Sequence, residues 1–275
     1  LTAAAANRLT ISGAPSFSDS SAYGGRADAS GGTSGLYLAT NNHVTIDITT
    51  SLYQVFGGSI SAASNDTADV GSYGNEVTIR QGTIEEVYGG RASGSGMVDV
   101  SGNRISISGG SVTQIIGGNA YSKHQIAVAD DNAIIITGGT HENIIAASVQ
   151  SDSMQVSASN NAVYLSNTTV KGVTGGYSTS TDTAASLNYN SIVVGAEAVV
   201  TSNVHGGDAI GTGDGNSAAH NSISVVQGGQ IHGELVGGNL KGAGDVSYNT
   251  IQISNGSVGS TVSGGRTAGD GSANN

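Results

Sequence analysis

The chain has 275 residues, no cysteine and a formal net charge of −11, so disulfide bonds and thiolate metal sites are excluded. Its 44 glycines accompany a single proline, which excludes collagen, because collagen needs abundant proline and a strict three-residue period. The nine basic residues are dispersed, and no run of about 18 apolar residues occurs. We therefore expect no nucleic-acid partner and no direct membrane insertion of this segment.

A unit of 28 to 35 residues is repeated along the whole chain. It is clearest from Asn103 to Gly118, which reads Asn-Arg-Ile-Ser-Ile-Ser-Gly-Gly-Ser-Val-Thr-Gln-Ile-Ile-Gly-Gly. Such self-similarity predicts a stacked repeat architecture. We expect one repeat domain over residues 1–275, irregular over 1–74 and regular over 75–275. The copies begin at Asn7, Asn42, Asn75, Asn103, Asn132, Asn161, Asn190, Asn221 and Asn249.

Within a copy, the apolar residues follow the pattern of short strands. Positions 2 and 4 after the asparagine are usually apolar, as in Ile105 and Ile107, and this period of 2 is typical of a strand. A glycine-containing turn, a second apolar group, a second glycine pair and a short third strand follow. One unit cannot bury its apolar face, whereas stacked units can. The sequence therefore predicts an all-β fold, a parallel β-solenoid (β-helix) of about nine repeats.

The recurrent asparagines and glycines have structural roles in this prediction. Stacked asparagine side chains can form an amide ladder along the axis, and glycine can supply positive φ at corners. The predicted ladder comprises Asn42, Asn75, Asn103, Asn132, Asn161, Asn190, Asn221 and Asn249. The predicted turn glycines are Gly89, Gly90, Gly117, Gly118, Gly175, Gly176, Gly206, Gly207, Gly237 and Gly238, with Ala146-Ala147 replacing one pair.

The spacing leaves two coil lengths open. In the central copies the asparagine and the second glycine pair are about 14 residues apart, so each copy could form two small coils. We prefer one coil per copy, because it stacks asparagine on asparagine and glycine pair on glycine pair.

Asn75 to Gly90 reads Asn-Glu-Val-Thr-Ile-Arg-Gln-Gly-Thr-Ile-Glu-Glu-Val-Tyr-Gly-Gly. Followed by a Gly/Ser-rich loop, such units resemble the repeats in passenger regions of bacterial autotransporter-type surface proteins. The resemblance covers nearly the whole chain. It implies an exported stalk or adhesin at the bacterial cell surface, without catalytic residues, whose partner is a surface protein or a glycan.

Two other functions stay open. A solenoid that starts and stops inside its repeat pattern could be an excerpt of a longer protein, or a filament subunit that associates end to end. Solenoids also include polysaccharide-active enzymes, which use clustered carboxylates. The adjacent pairs Glu85-Glu86 and Asp130-Asp131 point to opposite faces of a strand, so neither forms a dyad by itself.

We assign no cofactor. Loops around Asp214, Asp245 and Asp270 could suggest calcium, but they depart from the calcium nonapeptide, and ordinary Asp-Gly turns are the alternative. The histidines have no metal-ligand spacing and are predicted to be single surface residues: His43, His124, His141, His205, His220 and His232. Tyr23, Phe56 and Tyr88 precede the second glycine pair in successive copies, where they could bind sugar faces or pack as a ladder.

Overall fold

The computed structural model describes residues 2–15, 20–29, 35–63, 67–180, 183–210, 215–268 and 272–274. These residues form strands and turns and no helix. Each strand pairs in parallel with its copies in the coils before and after it, as Ile105 does with Val77 and Ile134. The predicted all-β parallel β-solenoid is confirmed.

The strand register decides the length of one coil. Ile105 pairs with residues 28 positions before it and 29 positions after it, so one copy makes one full turn of the solenoid. The alternative of two small coils per copy is wrong, because strands 14 residues apart do not pair as successive rungs. Asparagine therefore stacks on asparagine.

One sheet is formed by the short strand that precedes each asparagine. Its strands in the described residues are Thr2–Ala5, Leu36–Thr40, Asp69–Tyr73, Val98–Asp99, Ala127–Val128, Val156–Ser157, Ala185–Ser186, Asn216–Ser217, Gly244–Ser247 and Ser272–Asn274.

The other sheet carries the two longer segments of each coil, which merge into one strand in the second and third copies. The strands that follow the asparagine are Arg8–Gly13, His43–Ala62, Glu76–Gly94, Arg104–Ile107, Ala133–Ile136, Ala162–Leu165, Ser191–Val194, Ser222–Val226 and Thr250–Ser254. The strands around the second glycine pair are Ser21–Ala29, Ser111–Ser122, Thr140–Ser151, Thr169–Ser178, Val199–Val200, Val204–Ala209, Gln230–Ile231, Leu235–Val236, Asn239–Leu240, Ser257–Val258, Val262–Ser263 and Arg266–Thr267.

The inward side chains form two apolar columns rather than one core. The larger column consists mainly of valine and isoleucine, including Ile105, Ile107 and Ile115. The smaller column is rich in alanine and valine, including Ala120 and Ala127. Each coil therefore has two lobes in cross-section.

A waist of asparagine and glycine separates the two lobes. A Cβ atom on Gly117 would lie 3.1 Å from Asn132 Cβ, and one on Gly118 would lie 2.5 Å from Asn132 Nδ2. The second glycine pair of one copy thus packs directly on the asparagine that begins the next copy. This contact explains why the two motifs are about 14 residues apart in a coil of twice that length.

The prediction that the second glycine pair supplies positive φ at turns is wrong. Gly117 and Gly118 lie inside the strand Ser111–Ser122, and all ten predicted turn glycines lack positive φ. Little space is left there beside the asparagine column, which favours glycine over larger residues. Positive φ occurs instead in the first glycine turn, at Gly110 and Gly139.

Replacing Gly118 by valine should lower the free energy of unfolding by about 3 kcal/mol, since a branched side chain must displace Asn132 or the Val100 carbonyl. In the next coil the same column accommodates one methyl group, at Ala147. Gly172→Val is the matched control: a Cβ there meets no atom closer than 3.6 Å. Urea denaturation of the two variants should separate them, and equal losses would contradict a tight waist.

The corner just before each asparagine has a left-handed backbone that the sequence did not predict. Its φ angles lie between 53° and 68° in all nine copies. Glycine, asparagine and aspartate tolerate this conformation well, whereas other residues pay a steric cost. The residues are Ala6, Asn41, Gly74, Gly102, Asp131, Asn160, Tyr189, His220 and Tyr248.

His141 is inside the solenoid, so its prediction as a surface residue is wrong. It pairs in register with Val112 and Val170 in an inward column, and it is 3% exposed. Its Nε2 lies 3.0 Å from the Gly138 carbonyl, while its buried Nδ1 has no hydrogen-bond partner in the described structure. Burial lowers the pKa of His141.

His141→Val should therefore stabilise the protein, by about 1 kcal/mol at neutral pH, because it removes an unsatisfied buried nitrogen. The gain should grow as the pH falls below about 6.5, since the unfolded histidine binds a proton that the folded one resists. The free energy of unfolding should be measured by urea denaturation at neutral pH and at a pH below about 6.5, with His124→Val, at an exposed position, as the control. If His141→Val is less stable than the original chain at the acid pH, the prediction is wrong.

Candidate functional site

The asparagine column is a continuous ladder of hydrogen bonds. Asn103 Nδ2 donates to Asn132 Oδ1 at 3.1 Å, and the Asn103 backbone N–H donates to the same oxygen at 3.0 Å. Asn103 Nδ2 also donates to the Ser72 carbonyl at 2.9 Å. The side-chain bond recurs in all eight intervals between Asn7 and Asn249, at 2.8 to 3.2 Å.

A ladder of this kind holds the coils together and offers no reactive group. Its central members are at most 1% exposed, and both atoms of their amides are engaged in hydrogen bonds. The column is therefore a scaffold, and chemistry must be sought on the outer surface.

The outer surface contains a groove where the wall bends at the second glycine pair. Ile115 and Ile116 are consecutive strand residues that point to opposite sides, yet they are only 0% and 4% exposed. Ile115 lies in the larger core, whereas Ile116 packs with Phe56 and Tyr88 in a separate cluster. A side chain on the outer side can be buried only where the wall is concave. The concavity runs along the axis, because the residues stack in register.

The floor of this groove is aromatic at its N-terminal end. The ring centroids of Tyr23 and Phe56 are 4.8 Å apart and those of Phe56 and Tyr88 are 5.0 Å apart, with the planes within 5° of parallel. Of the two interpretations of these rings, the ladder is the one observed. Stacking covers the ring faces against each other, which leaves little face for a sugar. Burial, followed by the nearby Glu86, raises the pKa of Tyr88 to about 12.

Further along, the same groove opens into a cavity of about 410 Å³. The floor column continues there from Ile145 to Thr174 and His205. Two residues before the floor residue of each coil is a position in the side wall of the groove. Gly172 occupies this position, in register between Asn143 and Asn203. The coil that contains Gly172 and Thr174 thus has no side chain in the groove wall and only a short side chain on the groove floor. The cavity is lined by Gln114, Asn143, Ile144, Ile145, Gly172, Val173, Thr174, Tyr177, Ser202, Asn203, His205 and Asp208.

His205 and Asp208 form a partly buried pair in this cavity. His205 Nδ1 is 3.2 Å from Asp208 Oδ2, and the two side chains are 13% and 14% exposed. Asn239 Nδ2 donates to Asp208 Oδ1 at 2.7 Å, and Arg266 Nε donates to Asn239 Oδ1 at 3.0 Å. The prediction that His205 is a single surface residue is wrong. His205 and Asp208 lie on either side of the second glycine pair of this copy. This position in the repeat is the sequence signal that could have identified the two residues as a site.

The Asp208 carboxylate is an acceptor held in its charged form. Burial acts to raise the pKa of Asp208, but the hydrogen bonds from His205 and Asn239 outweigh burial and keep that pKa below its ordinary value. Tyr177 pairs with Asp208 in register, and burial and this carboxylate raise the pKa of the phenol. The cavity therefore contains a fixed negative charge, a neutral phenol and several amides.

Glu85 and Glu86 lie on a strand and differ in exposure as predicted, whereas Asp130 and Asp131 lie in the turn between two strands, with Asp131 at the left-handed corner. Glu85 is exposed, whereas Glu86 accepts hydrogen bonds from Gln54 at 2.5 Å and Tyr88 at 3.1 Å. Asp130 Oδ1 accepts from the Ser157 hydroxyl and the Ser159 backbone N–H of the next coil. Burial raises the pKa of Asp130 despite these hydrogen bonds. The carboxylates of Glu86 and Asp130 are thus both held in place by hydrogen bonds to neighbouring residues.

Of the three loops considered for calcium, the structure describes the aspartate of one. Asp214 and Asp270 lie outside the described residues, and Asp245 accepts a hydrogen bond from Ser247 at 2.9 Å. Within the described residues, no group of three or more histidine, aspartate or glutamate side chains could hold a metal ion.

A second aromatic stack lies at the left-handed corner. His220 is stacked between Tyr189 and Tyr248, with centroid distances of 4.8 and 5.0 Å. The two tyrosines are 57% and 69% exposed. Of the remaining histidines, His124 and His232 are exposed. His43 Nδ1 lies 3.0 Å from Glu76 Oε2.

The architecture and the groove define the chain as a parallel β-solenoid with a polar external groove. Comparisons with protein-family models, curated proteins and solved structures gave no match. The described part of the chain contains no helix that is long and apolar enough to cross a membrane.

Proposed function

We propose that this chain is a non-catalytic β-solenoid that serves as a rigid stalk and adhesive surface outside a bacterial cell. The observation that carries the proposal is the continuity of the asparagine ladder. It joins every coil from Asn7 to Asn249 through side-chain hydrogen bonds, which are buried from Asn42 to Asn221 and partly buried in the first and last intervals, and no interval lacks the bond. A rod of this kind keeps its outer faces in fixed relative positions.

The chemistry of the outer faces also supports binding over catalysis. Glu86 and Asp130 are engaged by neighbouring hydroxyl, amide or backbone groups, so they are poorly placed to move protons. The surface is polar but carries few charges, because only 11% of the residues are charged. Such a surface suits recognition through hydrogen bonds.

A direct test combines location with adhesion. Antibodies against the chain should label intact cells of the producing bacterium, and the purified chain coated on beads should attach those beads to cells or to surface glycans. The matched control is the Ile107→Asp variant, which should lose the fold. Labelling only after cell lysis would contradict the surface location.

Two further outcomes distinguish the alternatives. Release of new sugar ends from a polysaccharide panel by the purified chain would show an enzyme and would contradict the proposal. Sedimentation that shows growing end-to-end oligomers would favour a filament subunit. A monomeric rod that adheres without cleaving is the expected result.

A further inference from the structure

We propose that the cavity at Gly172 is a binding site for a segment of an uncharged oligosaccharide. This inference rests on the proposed adhesive function and names the ligand class for it. The cavity is the place where the external groove is both open and lined by side chains that can donate and accept hydrogen bonds.

The lining decides the class of ligand by its chemistry. Amide groups come from Gln114, Asn143 and Asn203, and hydroxyl groups come from Thr174 and Tyr177. Asn203 contributes its Nδ2 as a donor, because its Oδ1 already accepts from the Glu234 backbone N–H at 2.9 Å. These groups can pair with many hydroxyl groups at once, and a ligand without them would leave them unsatisfied. An apolar ligand is therefore disfavoured, and a polyhydroxylated ligand is favoured.

The charges in the cavity disfavour an anionic ligand. Asp208 is the charged acceptor of the site, and the lining contains no lysine or arginine. A uronic acid or a phosphate would be repelled by the Asp208 carboxylate, and the cationic groups that act on this site, Lys241 and a protonated His205, already stabilise that carboxylate. A metal ion has no complete set of ligands, since Asp208 is already held by His205 and Asn239. An uncharged sugar can instead donate a hydroxyl hydrogen bond to the carboxylate.

The shape agrees with a chain that lies along the axis. Gln114, Asn143, Gly172 and Asn203 occupy one wall position in four successive coils, which span about 14 Å at about 4.8 Å per coil. The missing side chain at Gly172 leaves room for part of a sugar ring in the middle of this row. The amides on both sides can bind the units before and after it.

His205 positions Asp208 in this arrangement. Its Nδ1 contacts one carboxylate oxygen, and Asn239 contacts the other, so the carboxylate cannot rotate freely. A fixed acceptor selects the orientation of the hydroxyl group that binds to it. We expect Asp208→Asn to weaken binding because an amide also presents a donor where the ligand donates.

The test uses the purified chain and titrates it with glucan, mannan, galactan and N-acetylglucosamine oligomers, with uronic-acid oligomers for comparison. At least one uncharged series should bind, and the uronic-acid series should bind about tenfold more weakly or not at all. Gly172→Gln should reduce the affinity about tenfold or more, because it fills the cavity with the side chain found at Gln114.

The control is Ser224→Gln, which adds the same side chain on another outer face, beside Gln252. It should bind like the original chain, and both variants should keep its melting temperature. If Gly172→Gln binds the sugar unchanged, or if no uncharged series binds, the assignment of this cavity is wrong. If the chain still attaches to cells in that case, the proposed adhesive function stands, and failure of both assays would remove both.

Discussion

Replacing Ile107 by aspartate should abolish stable folding of the central coils, with a loss of at least about 4 kcal/mol in the free energy of unfolding. Ile107 is 2% exposed in the larger core, and its neighbours in register are Ile79 and Ile136. A carboxylate placed there has no hydrogen-bond donor and no counter-charge. Circular dichroism during urea denaturation would measure the loss.

The control lies one residue away. Ser106 points to the outer side of the same strand and is partly exposed, so Ser106→Asp should change the stability by no more than about 0.5 kcal/mol. The two variants carry the same new charge in the same coil. Equal losses would mean that the inward and outward sides of this strand have been interchanged.

Asn132→Ala should cost about 3 kcal/mol, because it leaves several buried groups without partners. The Asn103 backbone N–H and Nδ2 lose the Oδ1 acceptor, and the Val100 carbonyl and Asn161 Oδ1 lose the donor. Asn119→Ala, on the outer surface of the preceding coil, should be nearly neutral.

The ladder prediction has a clear contrary outcome. If Asn132→Ala and Asn119→Ala unfold at the same urea concentration, the ladder hydrogen bonds contribute nothing measurable. Hydrogen exchange would then show no loss of protection at the Asn103 amide. We expect that amide to exchange faster in Asn132→Ala, together with the amides of the adjoining coils.

The solenoid could be predicted because its two signals are local and repeated. Alternation such as that of Ile105 and Ile107 predicts which side of a strand faces inward. The recurrence of asparagine predicts which residues stack on one another in successive coils. The role of Gly117 and Gly118 could not be predicted in the same way. Glycine is selected both for positive φ and for the absence of a side chain, and a sequence does not separate these two reasons.

The candidate site was harder to predict, for a physical reason. A period of 2 distinguishes inside from outside, but it does not say where the outside is concave. The cavity beside Gly172 depends on the bend at the waist and on a missing side chain. His141 is a different case, because alignment of its repeat with those of Val112 and Val170 places it inside the wall.

The direction of the ladder has a consequence for symmetry. Each amide donates to the next coil towards the C-terminus, as Asn75 does to Asn103, and all eight intervals share this direction. The rod is therefore polar, with carbonyl dipoles aligned along its axis. Any contact that extended the ladder between two rods would join a donor end to an acceptor end. A two-fold dimer would place like groups opposite each other, so axial continuation must be head to tail.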